Sequence, residues 1–186
     1  MANGYEIPGL FGERIGLRPL EPAEAAVARQ WVMESDPLFM SCRLPGLSSM
    51  TRSAEMAQTA SPEPLRFNLG MILRGTGTLV GRVTTFDYNP RNRSCEIGYI
   101  VAPTARGKGY GREGVAILLD YLFGGVGLNK VQAQTGSFNA PSIRLLETLG
   151  FKRDAVLREH HLYKAVLHDD YVYSIVYREW HERGRI

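Results

Sequence analysis

The sequence predicts an α/β (α+β) fold in which a mixed, mostly antiparallel sheet carries helices on both faces. Two observations predict it. Residues 67–101 hold three runs of alternating apolar residues separated by turn signals, the pattern of an antiparallel meander. After Pro103 the texture changes to helix, strand, helix and two strands, so both helices of the second half lie between strands. The length of 186 residues, with 44% hydrophobic and 22% charged residues, suits one domain over 1–186 with one substantial core.

The elements follow in order. Residues 13–20 alternate Ile15 and Leu17 against Arg14, Gly16 and Arg18, a short strand. Glu21-Pro22 opens a helix that runs to Met33, with proline in the first turn, where an N–H has no partner. Residues 36–66 are rich in Pro, Ser, Met and Thr and weak in periodicity. They read as a loop–helix–loop, with a short helix over 51–59, in the manner of a lid or substrate wall. Strands at 67–73 and 78–87 flank the Gly75-Thr76-Gly77 link, a hairpin signal. Asn89-Pro90-Arg91-Asn92 makes the next turn, and 94–101 the third strand. A helix over 112–123 places Val115, Leu118, Leu119 and Leu122 on one face and stops at Gly124-Gly125. A strand at 130–135, a helix at 140–149 ended by Gly150, and closing strands at 151–162 and 171–180 complete the chain.

Bulk properties exclude several classes. A net charge of +3 is too mild to imply nucleic acid, so no DNA partner is expected, and it suits an anionic small molecule. No apolar run spans a membrane, and 1–10 lacks the basic and apolar regions of a signal peptide. Cys42 and Cys95 stand far apart, without metal-type spacing, as thiols of a reducing cytoplasm; a cytoplasmic location without metal is the expectation.

The chemistry is carried by Arg106-Gly107-Lys108-Gly109-Tyr110-Gly111, between a strong strand and a strong helix. Glycines there let the backbone turn tightly and approach a ligand. The first N–H groups of the helix are free donors, and its dipole adds about half a positive charge. Arg106, Lys108 and Arg112 add full charges, so a diphosphate is the natural occupant. A nucleotide-binding P-loop would need a Lys-Ser/Thr pair that is missing here. The string from Gly109 to Gly114 matches G-x-G-x-x-G, but it follows an antiparallel meander, and the next strand does not end in a ribose-binding acid.

The same turn resembles, at every defined position, the [Arg/Gln]-x-x-Gly-x-[Gly/Ala] cofactor loop of the GNAT superfamily. The strings E-I-G-Y, G-K-G-Y-G, Asn139-Ala140-Pro141-Ser142-Ile143-Arg144, Leu149-Gly150-Phe151 and Tyr171-Val172-Tyr173-Ser174 are similar to its ribosomal-protein N-terminal acetyltransferase (RimJ/RimL-like) branch. The resemblance covers about 15–180 and is weakest over 36–66. It departs at Tyr163-Lys164-Ala165-Val166, where the branch often has Asn-Gly.

The resemblance implies an N-acetyltransferase that moves an acetyl group from acetyl-CoA to a primary amine by direct attack in a ternary complex. It also implies splayed central strands, with a cleft between 94–101 and 130–135. The amides from Lys108 to Gly111 would bind the pyrophosphate, and the main chain of Tyr99, Ile100 and Val101 the pantetheine arm. Asn139 is placed for the pantetheine amide, or as an N-cap of the helix after it. Ser142 is the candidate donor to the leaving thiolate, or an ordinary first-turn hydroxyl.

Glu96 is the candidate base; on a strand that looks buried it is equally explained by a salt bridge to Arg93 or Arg82. Glu159, His160 and His161 are rivals, more often solvated on such a strand, and Tyr173 is a candidate lining the acceptor end. The acceptor is a protein N-terminus or a small amine. Residues 36–66 contain only Asp36, Glu55 and Glu63 as acids, which argues against a polycation. A homodimer fits the branch. The alternative is an inactive CoA-binding sensor or interaction module.

Overall fold

The computed structural model describes residues 10–35 and 65–183. Cys42, the lid expected over 36–66 (but for its last two residues) and the helix expected over 51–59 lie outside them. Seven strands form one sheet in the order β1-β2-β3-β4-β5-β7-β6. They are β1 (Ile15–Pro19), β2 (Asn68–Leu73), β3 (Leu79–Asn89), β4 (Ser94–Val101), β5 (Lys130–Gly136), β6 (Lys152–Tyr163) and β7 (Val166–Val176). Every neighbouring pair is antiparallel except β4 and β5, which run parallel. The helices are α1 (Pro22–Ser35), α2 (Tyr110–Asp120), α3 (Ala140–Thr148) and α4 (Tyr177–Glu182).

Strand alternation divides the sheet into two unlike faces. Leu17, Met71, Leu69, Val83, Cys95, Ile97, Val131 and Ile175 share one face through the registers of paired strands, and all are buried. Helices α2 and α3 cover it, with Val115, Leu118, Leu119, Leu122, Leu146 and Leu149 each fully buried. Sealing such a side chain stabilises the fold by about 1.5–3 kcal/mol. Gly114 lets α2 sit close, since a Cβ there would lie 2.8 Å from Met71 Sδ. The opposite face carries Arg18, Arg82, Thr84, Glu96, Gln132, Gln134 and Asp170. Helix α1 is tied there by Arg18, whose guanidinium donates to both carboxylate oxygens of Glu24. Helices on both faces are thus observed. Buried Cys95 has its thiol pushed up to about 12 by desolvation, which leaves it a packing residue.

Two elements differ from the sequence expectation. The last strand ends at Val176, and Tyr177–Glu182 is helical. Glu179 caps the helix by accepting the Val176 N–H at 3.2 Å, and the Trp180 indole donates to Asp120 at 2.9 Å, so a local cap and one tertiary bond turn an aromatic, strand-like string into a helix. Helix α2 also widens at its end into a π-turn, Tyr121–Gly125, in which the Val126 N–H reaches the Tyr121 carbonyl.

The β6–β7 hairpin lacks Asn-Gly yet makes the two-residue turn that Asn-Gly favours: Lys164 and Ala165 have φ of 49° and 61°. Side chains with a Cβ are strained there. Replacing Lys164→Asn together with Ala165→Gly is therefore expected to stabilise the protein by about 1 kcal/mol. A thermal melt raised by roughly 2–4 °C checks it; an unchanged melt contradicts strain at this turn.

Candidate active site

The site is built by a fault in the sheet. β4 and β5 pair only through Ser94 with Lys130, Cys95 with Val131 and Glu96 with Gln132. Beyond Glu96, β4 pairs with β3 alone; beyond Gln132, β5 pairs with β7 alone. The two strands share no ladder pair past that point, which leaves a gap between them. The Ala102 N–H bonds the Val80 carbonyl. Alternation then turns the main-chain groups of Ala102, Ile100 and Gly98 toward β3, and those of Tyr99 and Val101 toward the gap. Of the three residues expected to present their main chain, Ile100 is thus engaged with β3. In this structure the Val101 carbonyl accepts from Arg106 Nε at 3.2 Å.

Arg106, Gly107, Lys108 and Gly109 stand exposed at the mouth of the gap, ahead of α2. Gly107 and Gly109 have φ of 75° and 82°, where side chains are strained. Gly109 is the N-cap of α2 with no side-chain cap, so the N–H groups of Tyr110, Gly111 and Arg112 face outward as donors. Gly111 serves packing instead: a Cβ there would lie 3.0 Å from Val101 and 3.2 Å from Leu145. This geometry fits a pyrophosphate bound by backbone amides.

No sequence pattern signals how the loop is braced. Glu113, in the first turn of α2, accepts the N–H groups of Arg14 and Ile15 at 2.6 and 2.9 Å and pairs with Arg14 Nε at 2.9 Å. Arg14 also donates to the Lys108 carbonyl at 3.1 Å and lies over the Tyr110 ring. The pair is about a hundred residues apart in the chain, and only the pairing of β1 brings it together.

Across the gap, Asn139 caps α3 by accepting the Ser142 N–H at 3.3 Å. Ser142 Oγ lies 2.7 Å from the Tyr99 hydroxyl. Burial pushes Tyr99 up to about 12, against the opposing effect of its Ser142 bond, so its hydroxyl stays protonated and is a donor. The side chain of Tyr99 was not among the expected site groups.

Glu96 lies on the opposite face, at the vertex of the gap, partly buried. Tyr173 does not reach that face. It is 2% exposed among the helix-side residues and donates to Glu147 of α3 at 3.0 Å, so it packs rather than lines an acceptor wall. Of the rival bases, Glu159 and His160 are exposed. His161 instead is buried: its Nδ1 lies 3.0 Å from Asp170, which also accepts from Gln134 at 2.8 Å, and its ring packs edge-on against Phe138. A β-bulge between Leu157 and His161, which strand alternation cannot reveal, rotates it inward.

A strand gap with an uncapped, glycine-led helix at its mouth and a Tyr–Ser pair beside it has the shape and donors that suit an acyl-CoA thioester. The acetyltransferase (GNAT) domain family matches residues 14–152. The N-acetyltransferase p20 of Bacillus licheniformis is 30% identical over 177 residues, covering 92% of this chain and 97% of that protein. The spermidine/spermine N-acetyltransferase SpeG of Vibrio cholerae superposes with a TM-score of 0.80 at 22% identity, over 92% of this chain and 98% of the other. A GNAT-family acetyltransferase from Bacillus anthracis does so with 0.76 at 24% identity, over 91% and 99%. The chain belongs to the GNAT acetyltransferase family, whose members move an acetyl group from acetyl-CoA to an amine.

Proposed function

We propose that the gap holds the pantetheine arm against Tyr99 and Val101, the pyrophosphate on the amides from Lys108 to Gly111, and the acceptor amine on the Glu96 face. The observation that carries this is the end of the β4–β5 pairing at Glu96. Acetyl-CoA supplies the thioester. Glu96 takes the proton of the attacking amine as nitrogen bonds to the acetyl carbon and the C–S bond breaks. The Tyr99–Ser142 pair donates toward the departing sulfur, with Tyr99 positioning Ser142. Asn139, while capping α3, also reaches the arm.

The enzyme is expected to release free thiol with at least one primary amine from a screened panel; tight CoA binding without thiol release would leave the sensor reading. Ser142→Ala is expected to lower kcat about 10-fold or more, because it removes the donor to sulfur. An unchanged kcat would take Ser142 out of the mechanism.

A second reading of the base rests on the buried His161–Asp170 pair, since Asp170 fixes the imidazole tautomer. We also propose a homodimer through the β6–β7 hairpin. Its Leu162, Val166 and Leu167 are 61%, 55% and 54% exposed, a cost in water that a second copy would relieve. Sedimentation equilibrium is expected to give a dimer that Leu167→Glu dissociates; a monomeric wild-type protein overturns this. The buried reduced thiol and the need for acetyl-CoA support a cytoplasmic location, checked by cell fractionation; recovery outside the cytoplasm would contradict it.

A further inference from the structure

The face that would receive the amine holds a cation that no described carboxylate balances. Arg82 projects from β3 on the same face as Glu96, opposite Gly70 on β2 and Ile100 on β4. Its Nε is buried without a hydrogen-bond partner. Among the described residues, no carboxylate forms an ion pair with it. Burial pulls its pKa down, against the usual high arginine value. An unbalanced guanidinium in the middle of a sheet is costly to keep.

A second orphan lies beside it. Asn68, on β2 and opposite Thr84, has its Oδ1 buried without a partner. Asn68 and Arg82 are diagonal neighbours across β2 and β3, at a separation of roughly 7–8 Å. Buried polar atoms are almost always satisfied, so two orphans side by side point to a molecule that supplies the missing partners. Gly98, between Arg82 and the vertex residue Glu96, keeps the surface low there: a Cβ would lie 3.0 Å from Thr84 Oγ1.

We propose that Arg82 binds a carboxylate of the acceptor, and that the acceptor is an amino acid or short peptide carrying its amine and a carboxylate a short spacer apart. This rests on the acetyl-transfer reading of the gap. A guanidinium offers a carboxylate a planar two-point match, and one positive charge balances one negative charge. Arg82 stands one strand spacing, about 4.8 Å, from β4 and four residues, about 13 Å, along the sheet from Glu96, so the long Arg82 side chain and the spacer of the acceptor together bridge the distance to the base. Asn68 accepts an N–H of the same molecule. A polyamine, which SpeG of Vibrio cholerae takes by its name, would place a cation against this guanidinium.

The experiment compares matched amines: amino acids and dipeptides as free acids and as C-terminal amides, with spermidine as a third arm. Each is tested for binding by calorimetry in the presence of CoA and for thiol release with acetyl-CoA. Wild-type protein is expected to bind at least one acid about 10- to 100-fold more tightly than its amide. Arg82→Met removes that preference, Arg82→Lys retains part of it, and CoA affinity is unchanged in both. Equal binding of acid and amide by the wild type, a preference that survives in Arg82→Met, or spermidine as the best ligand overturns the proposal. Because acid preference is read from binding, its failure is distinct from a failure of acetyl transfer, which is read from thiol alone.

Discussion

Gly109→Val is expected to abolish CoA binding while leaving the protein folded. Gly109 has φ of 82° and is the uncapped N-cap of α2. A β-branched residue resists that conformation by about 1–2 kcal/mol or more, and the backbone relaxes by turning its amides away. Losing two charge-assisted hydrogen bonds at about 1.5 kcal/mol each lowers affinity by at least roughly 100-fold. The fold should survive, because the nearest atom to a Cβ there is the flexible Arg14 guanidinium, 3.3 Å away. Gly111→Val makes a different prediction, because its Cβ would press on Val101 and Leu145 and so loosen the contact of α2 with β4 and α3. Titration calorimetry with CoA, beside a thermal melt, separates the two. Near-native CoA affinity in Gly109→Val would move the pyrophosphate elsewhere.

Glu96→Gln is expected to lower kcat by about 10²- to 10⁴-fold, the usual worth of a positioned base. The substitution keeps the size of the side chain and removes its ability to take a proton. Affinity for CoA should not change, because the cofactor groups lie at the loop and along the Tyr99 and Val101 main chain. His161→Gln provides the contrast. It breaks the buried pair with Asp170, so it should cost stability and leave kcat near the wild-type value. If His161→Gln loses the rate and Glu96→Gln keeps it, the base belongs to the His161–Asp170 pair.

Much of this was legible in the sequence, for identifiable reasons. The strand over 94–101 and the glycine-rich turn after it are set by local chemistry: alternation, Pro103, and glycines that adopt positive φ. The gap is a property of register, and only the resemblance to the GNAT superfamily announced it. Tyr177–Glu182 reads as strand in the sequence because its aromatic string masks the local Glu179 cap on Val176, and the Trp180 bond to Asp120 that anchors the helix is tertiary. His161 reads as solvated in the sequence because the bulge that resets the alternation of β6 leaves no mark there. The brace of Arg14 on the loop and the hydroxyl pair of Tyr99 with Ser142 link distant segments. Sequence alone offers Arg82 as a salt-bridge partner of Glu96; the register sets it opposite Ile100, four pairs from Phe86 and Glu96.

The proposed seat of acetyl-CoA is the gap where the pairing of β4 with β5 ends. A crystal structure of the protein with acetyl-CoA tests it directly. Pyrophosphate density is expected on the amides from Lys108 to Gly111, with the arm bonded to the Tyr99 and Val101 main chain and the thioester sulfur beside Ser142. Acetyl-CoA bound away from the gap, or with its pyrophosphate off the N-terminus of α2, would contradict it.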